Sequence, residues 1–100
     1  MRVISKQTLR HFWEVAPGRA DARRALEAWH REARRARWSS PQEIKRLYAS
    51  ASILKGGRVV FNICGNRYRL VVRINYQHQV VFVRFLGTHA EYDAIDAETV

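Results

Sequence analysis

Cysteine is nearly absent from this chain: Cys64 stands alone, so no disulfide can form within it. That excludes the small disulfide-stapled scaffolds and suits a reducing compartment. Long apolar runs are also missing. No stretch approaches the about 20 apolar residues that cross a bilayer. The opening MRVISKQTLRHFWEV has no apolar segment of signal-peptide length. These absences give the expectation of a soluble, cytoplasmic protein with no membrane partner. The chain contains no Walker-type loop, no GxGxxG and no GxSxG, which removes the corresponding nucleotide-binding and hydrolase classes. His11, His30, His78 and His89 share no metal-ligand spacing with a cysteine or carboxylate, so neither a metal nor a cofactor is expected. Repeats, low-complexity segments and linkers are missing too. With 100 residues and 47% apolar side chains, the reading is one domain over 1–100 with one core.

Acidic residues are scarce, and here absence becomes signal. Nine acids face 18 basic residues, 15 of them Arg, for a net charge of +9. Residues 1–88 carry all 18 basic residues against 5 acids, a net of +13, whereas HAEYDAIDAETV at 89–100 carries four acids and no Lys or Arg. The Arg guanidinium is a planar fork that binds phosphate bidentately, so this balance points to a nucleic acid, RNA first.

The periodicity divides the chain. MRVIS reads as a short strand, and Ser5 as the N-cap of a helix to about Val15, with Leu9, Phe12, Trp13 and Ala16 at helical spacing. Pro17-Gly18 breaks it. A second helix is expected from about Ala20 to Ala36. Its stripe of Ala22, Ala25, Leu26, Trp29, Ala33 and Ala36 faces inward, with Arg23, Arg24, Arg31, Arg34, Arg35 and Arg37 off the stripe. Ser39-Ser40-Pro41 opens a third helix to about Ala49. The period then changes to two. Lys55-Gly56-Gly57 is a turn, and Arg58–Cys64, Tyr68–Asn75 and Val80–Leu86 are strands, the first two joined by a tight turn at Gly65-Asn66. The expected class is α+β, with N-terminal helices packed on one face of a small antiparallel sheet.

Alternation sorts the strand residues into two faces. Val59, Phe61, Ile63, Tyr68, Leu70, Val72, Ile74, Val81, Val83 and Phe85 form the face expected to pack on the helices. Arg58, Val60, Asn62, Arg67, Arg69, Val71, Arg73, Phe82 and Arg84 form the other, whose charges are all Arg. Like charges on neighbouring strands repel, and a polyanion landing there relieves the cost. Metal-free RNA cleavage fits such a surface. The substrate's 2′-hydroxyl is the nucleophile, arginines stabilise the charged phosphorane, and His, Tyr or Lys moves protons. Histidine is the side chain type whose ordinary pKa of about 6.5 lies near neutrality, and His89 follows the last strand.

The run KGGRVVFNICGNRYRLVVRINYQHQVVFVRFLGTHAEYDAIDAETV, above all GNRYRLVVRINY followed by VFVRFLGTHAEYD, resembles the C-terminal half of HigB-type toxins. LRHFW, LEAWHREA and WSSPQEIK fit the N-terminal half. The resemblance implies a RelE-like fold, an mRNA interferase that in this group usually works on the ribosome, and a cognate helix-turn-helix antitoxin that neutralises the toxin and represses the operon. Through GTHAEYD it carries over His89 as general acid or base and Tyr92 as base-stacking group or proton donor. In the alternative reading His89 anchors a turn and Tyr92 closes the core. Arg73 and Arg84 are assigned with them to the scissile phosphate, and Lys55 is the weakest of the catalytic set. Arg58, Arg67 and Arg69 are assigned to flanking phosphates, and Asn62 and Asn75 to base edges. Glu91 and Asp93 either orient His89 or are plain surface acids. The helical arginines form a second basic surface for ribosomal RNA or for an acidic antitoxin. Two other functions stay open: a non-catalytic nucleic-acid-binding module, and a toxin of this fold acting on a protein target such as gyrase.

Overall fold

The computed structural model describes residues 1–15 and 18–100; the apolar position Ala16 and the break at Pro17 lie outside the described residues. The first strand, β1 (Arg2–Ile4), leads into α1 (Lys6–Val15). Ser5 caps α1 as its side chain predicts, its Oγ accepting the Thr8 amide at 3.3 Å. Helix α2 spans Ala22–Arg35, two residues later at its start than the periodicity suggests. Asp21 precedes it in a helical conformation and makes no side-chain cap, because its carboxylate is held by Tyr68 and Arg67 instead. Helix α3 covers Pro41–Leu47 and stops short of Ala49. The Lys45 ammonium closes that end by donating to the Ala49 and Ala51 carbonyls at 2.6 and 2.5 Å. There follow a two-residue strand β2 (Ser52–Ile53), a 3-10 turn at Lys55–Gly57, and strands β3 (Arg58–Ile63), β4 (Tyr68–Asn75) and β5 (Val80–Thr88). Helix α4 (His89–Asp93) comes last.

The sheet order is β1-β5-β4-β3-β2. The three long strands form an antiparallel meander, as expected. The edge strand β1 instead runs parallel to β5, pairing Arg2 with Val80 and Ile4 with Phe82. The sheet is therefore mostly antiparallel rather than wholly so. A parallel neighbour requires a long crossover, and the helices lie in the intervening chain.

The helices cover one face. Leu9 and Phe12 of α1, Leu26, Trp29 and Ala33 of α2, and Ile44 of α3 meet Val59, Phe61, Leu70, Val72, Ile74 and Val81 in one apolar core. The Phe61 ring lies at the centre, with Trp29 edge-on at 5.4 Å and Tyr48 edge-on at 4.9 Å. Burial of such side chains contributes about 1.5–3 kcal/mol each. Trp29 and Trp38 are buried here and Trp13 packs partly buried against the same core, so the tryptophans serve packing.

The opposite face departs from the expected open arginine surface. Val60 and Val71 are buried beneath Ala97, with Leu54, Phe85, Tyr92 and Ile95 around them. Residues 94–100 thus pack across the middle of the sheet's outer face, and Arg58 Nη2 and Arg84 Nε donate to the Val100 carbonyl oxygen at 2.6 and 3.2 Å. Phe85 belongs to this second cluster, not to the helix-facing set. The reason is a β-bulge: Val72 pairs with Val83 and Val71 with Phe85, which leaves Arg84 without a partner on β4. One extra residue reverses the alternation, so Phe85 turns outward and Leu86 joins the main core.

Candidate active site

Helix α4 begins where β5 ends, beside the β3–β4 turn. Thr88 is its N-cap. The Thr88 Oγ1 accepts the Glu91 amide at 3.1 Å, and a Glu91 carboxylate oxygen accepts the Thr88 amide at 2.8 Å. This reciprocal capping box is what a Thr-x-x-Glu sequence provides at a helix start. His89 is the first residue of the helix, and its amide donates to the Arg67 carbonyl at 3.2 Å. The local sequence therefore ties His89 to the start of β4.

The imidazole sits between two partners. Its Nε2 lies 3.4 Å from Asp93 Oδ2, one helical turn on, and its Nδ1 lies 3.5 Å from Arg69 Nη2. When Nε2 carries the hydrogen toward Asp93, Nδ1 presents a lone pair toward the arginine, the orientation a carboxylate imposes on a working histidine. Arg69 is half-buried, and its Nη1 also donates to the Asn66 carbonyl at 3.0 Å. Gly18, Arg19, Asn66, Arg67, Tyr68, Thr88, His89 and Ala90 line one pocket.

Three residues of this pocket's surroundings escaped the sequence reading. Arg19 comes from the connection between α1 and α2, its guanidinium stacked 4.5 Å from the Phe12 ring centroid and 3.1 Å from Glu91 Oε1. Asp21 accepts from the buried Tyr68 hydroxyl at 2.7 Å and pairs with Arg67 at 2.6 Å. Asn66 sits on the β3–β4 turn. No spacing rule links residues 19 and 21 to residues 67–91, so nothing in the sequence signals these contacts. The Glu91 carboxyl is held below its ordinary pKa, first by the Thr88 amide and then, against some desolvation, by the Arg19 charge. The Tyr68 hydroxyl is pushed up by burial and by its bond to Asp21.

The expected site residues fall into two groups. His89, Arg67 and Arg69 come together at one end of β4. Arg58 and Arg73 face each other across β3 and β4 at the other end, with Arg84 sharing the Val100 oxygen with Arg58. Arg73 lies four residues along β4 from Arg69, about 13 Å at strand spacing. Lys55, exposed in the turn before β3, belongs to that far end. Tyr92 is half-buried and packs in the cluster between the two groups. Asn62 pairs in register with Arg69, but its amide donates to the Ser50 carbonyl at 3.4 Å. Asn75 is distant: its side-chain oxygen accepts the His78 amide at 3.0 Å and shapes the β4–β5 turn. Arg31, Arg34 and Arg35 of α2 line a separate cleft with Lys6, Glu27 and His30.

Comparison with known proteins agrees with this architecture. A family model described as a RelE-like toxic component of a toxin-antitoxin system matches residues 22–95, from the first residue of α2 past the end of α4. The chain is also similar to the mRNA interferase HigB of Escherichia coli O6:H1, with 28% identity over 97 residues that cover 95% of this chain and 91% of the relative. The matched segment contains both the α2 helix on its sheet and the capped His89 turn, and the chain belongs to the HigB family of RelE-like toxins of toxin-antitoxin systems.

Proposed function

We propose that the chain, acting as one domain over residues 1–100, is an endoribonuclease that cuts mRNA on the translating ribosome in the cytoplasm. A cognate helix-turn-helix antitoxin restrains it. The observation that carries the reading is the His89 imidazole, held between the Asp93 carboxylate and the Arg69 guanidinium on a capped turn. The reaction needs no metal, because the RNA supplies its own nucleophile. The His89 imidazole takes the 2′-hydroxyl proton as the oxygen attacks the adjacent phosphorus. Arg69, with Arg67, neutralises the charge that builds on the phosphorane oxygens. The P–O5′ bond breaks, the 5′-oxygen takes a proton from water, and a 2′,3′-cyclic phosphate remains.

The second group has a different role in this reading. Arg58, Arg73 and Arg84 hold phosphates farther along the strand, with Lys55 at the rim of that surface. Tyr92 braces the outer sheet face beneath α4, and Asn62 is a candidate for a base contact beside Arg69. The arginines of α2 hold ribosomal RNA phosphates, which positions the enzyme without reading sequence.

The test is expression in a bacterial host lacking the antitoxin, with primer extension on abundant mRNAs. The expected outcome is growth arrest with discrete cleavage products, and loss of both in His89→Ala at unchanged protein level. Arrest without cleavage would overturn the ribonuclease reading and favour a protein target. Cleavage at the wild-type rate by His89→Ala would move the proton transfer to another residue.

A further inference from the structure

The α1–α2 connection is remote in sequence from α4 and yet reaches it. Arg19 Nη2 donates to Glu91 Oε1 and Oε2 at 3.1 and 3.2 Å across 72 positions of sequence. The other face of the guanidinium rests on Phe12, a ring that is 6% exposed and packs edge-on to Tyr68 at 5.3 Å. Arg19 is thus seated on the main core through an aromatic face and aimed at a single carboxylate. That carboxylate is the one that caps α4, accepting the Thr88 amide at 2.8 Å. Thr88 is in turn adjacent to His89.

The surroundings restrict Glu91 further. It lies against Gly87, where a Cβ would come within 3.1 Å of both Glu91 Cβ and Glu91 Oε1, and within 2.7 Å of Phe85 Cζ. A glycine at that point lets the capping carboxylate fold back over the strand end. Glu91 therefore has three attachments: the strand below it, the Thr88 amide beside it and Arg19 above it. Without Arg19 the side chain keeps the strand contact and the Thr88 amide, on a five-residue helix that is too short to hold its geometry without tertiary contacts.

We propose that Arg19 is a positioning residue for the reaction: it locks the Glu91–Thr88 capping box, and through it the orientation of His89 and Asp93 toward Arg69. The inference rests on the assignment of His89 as the proton-transfer group. The Arg19 Nη2 is taken up by Glu91 and one face of the guanidinium is covered by Phe12, so in this reading Arg19 positions α4 and the scissile phosphate is left to Arg69. Removal of Arg19 acts on the geometry of the imidazole and not on the capture of RNA.

The experiment measures single-turnover cleavage of one defined mRNA in a reconstituted translation mixture, as a function of enzyme concentration. The proteins are wild type, Arg19→Gln, Arg19→Lys, Glu91→Gln, the Arg19→Gln/Glu91→Gln double variant and His89→Ala. In Arg19→Gln the plateau rate is expected to fall about 10-fold to 100-fold, the scale of a misplaced catalytic group, while the half-saturating concentration moves less than about twofold. Arg19→Lys, which keeps the charge on Glu91, is expected to recover part of that loss. The double variant is expected to be no slower than the worse single variant, because both substitutions break the same link. Circular dichroism at the assay temperature verifies folding. If Arg19→Gln fails to fold, Glu91→Gln carries the same prediction.

A raised half-saturating concentration with an unchanged plateau would overturn the proposal and make Arg19 an RNA contact. Strictly multiplicative losses in the double variant would overturn it as well, as would wild-type kinetics in both single variants. Wild-type cleavage by His89→Ala would instead overturn the assignment of His89 itself, an outcome separate from the behaviour of Arg19.

Discussion

His30 is the residue of α2 whose protonation bears on stability. It is 9% exposed and shares its cleft with Lys6, Glu27, Arg31, Arg34 and Arg35. Burial, then the nearby charges of Lys6 and Arg34, hold its pKa below the ordinary value of 6.5. In the unfolded chain the imidazole takes up its proton first as pH falls, so the unfolded state gains protons that the folded state refuses. Stability is therefore full above about pH 6.5 and declines as the pH drops through that value toward the lower folded pKa. The urea midpoint of the wild-type protein is expected to fall between pH 7.5 and 5.5. In His30→Gln, which keeps a polar group and cannot titrate, the fall over this interval is expected to be smaller. Equal slopes in the two proteins would show that the proton goes elsewhere.

At the scale of elements, the turn before β3 is tightly constrained by its neighbour β4. Gly57 has φ of +76°, and a Cβ there would sit 2.8 Å from the Ile74 carbonyl oxygen. Gly57→Ala thus combines a disfavoured backbone with a backbone clash, and is expected to cost about 2 kcal/mol in chemical denaturation. The Gly-Gly pair was legible as a turn; its close approach to β4 was not, because it depends on the pairing of strands. The same distinction runs through the fold. Ser5, Pro41 and the meander of β3, β4 and β5 follow from local chemistry and alternation, and each stands where those signals place it. The β5 bulge at Arg84 does not follow, since Val80–Leu86 is apolar at every position but Arg84, so its sequence marks no break, and the extra residue appears only against β4. That one slip accounts for the misplaced Phe85. The cover formed by Tyr92, Ile95 and Ala97 was hidden for a related reason: three apolar residues dispersed in an acidic tail carry no periodic signature. The expected site was half legible. His89 and Arg69 do meet, but the regular spacing of arginines along β4 suggested one continuous surface where the structure has two.

For the whole molecule, charge separates into regions with distinct surroundings. The α2 arginines at positions 31, 34 and 35 are exposed and, among the described residues, none of them lies within salt-bridge distance of a carboxylate. The arginines around His89 are instead partly neutralised by Asp21 and Glu91. If the helical surface holds ribosomal RNA, binding to ribosomes must release counterions in proportion to its contacts. Replacing Arg31, Arg34 and Arg35 together with Gln is expected to reduce the slope of log affinity against log salt by about 2 to 3. The measurement is ribosome co-sedimentation across a salt series. An unchanged slope would assign that cleft to the antitoxin or to solvent.

The packing of residues 94–100 over Val60 and Val71 also bears on how the molecule opens. The central strands β3 and β4 lie between two apolar layers of unequal size, one built by three helices and one by a few side chains of a short segment. Local unfolding free energies scale with the contacts that must be lost. The thin layer therefore detaches at far lower cost than the thick one. In native-state deuterium exchange, the Ala97, Thr99 and Val100 amides are expected to exchange through this small opening, long before those of Leu70 and Val72. Exchange in that order would make the outer sheet face a surface that the protein exposes intermittently while its main core stays folded.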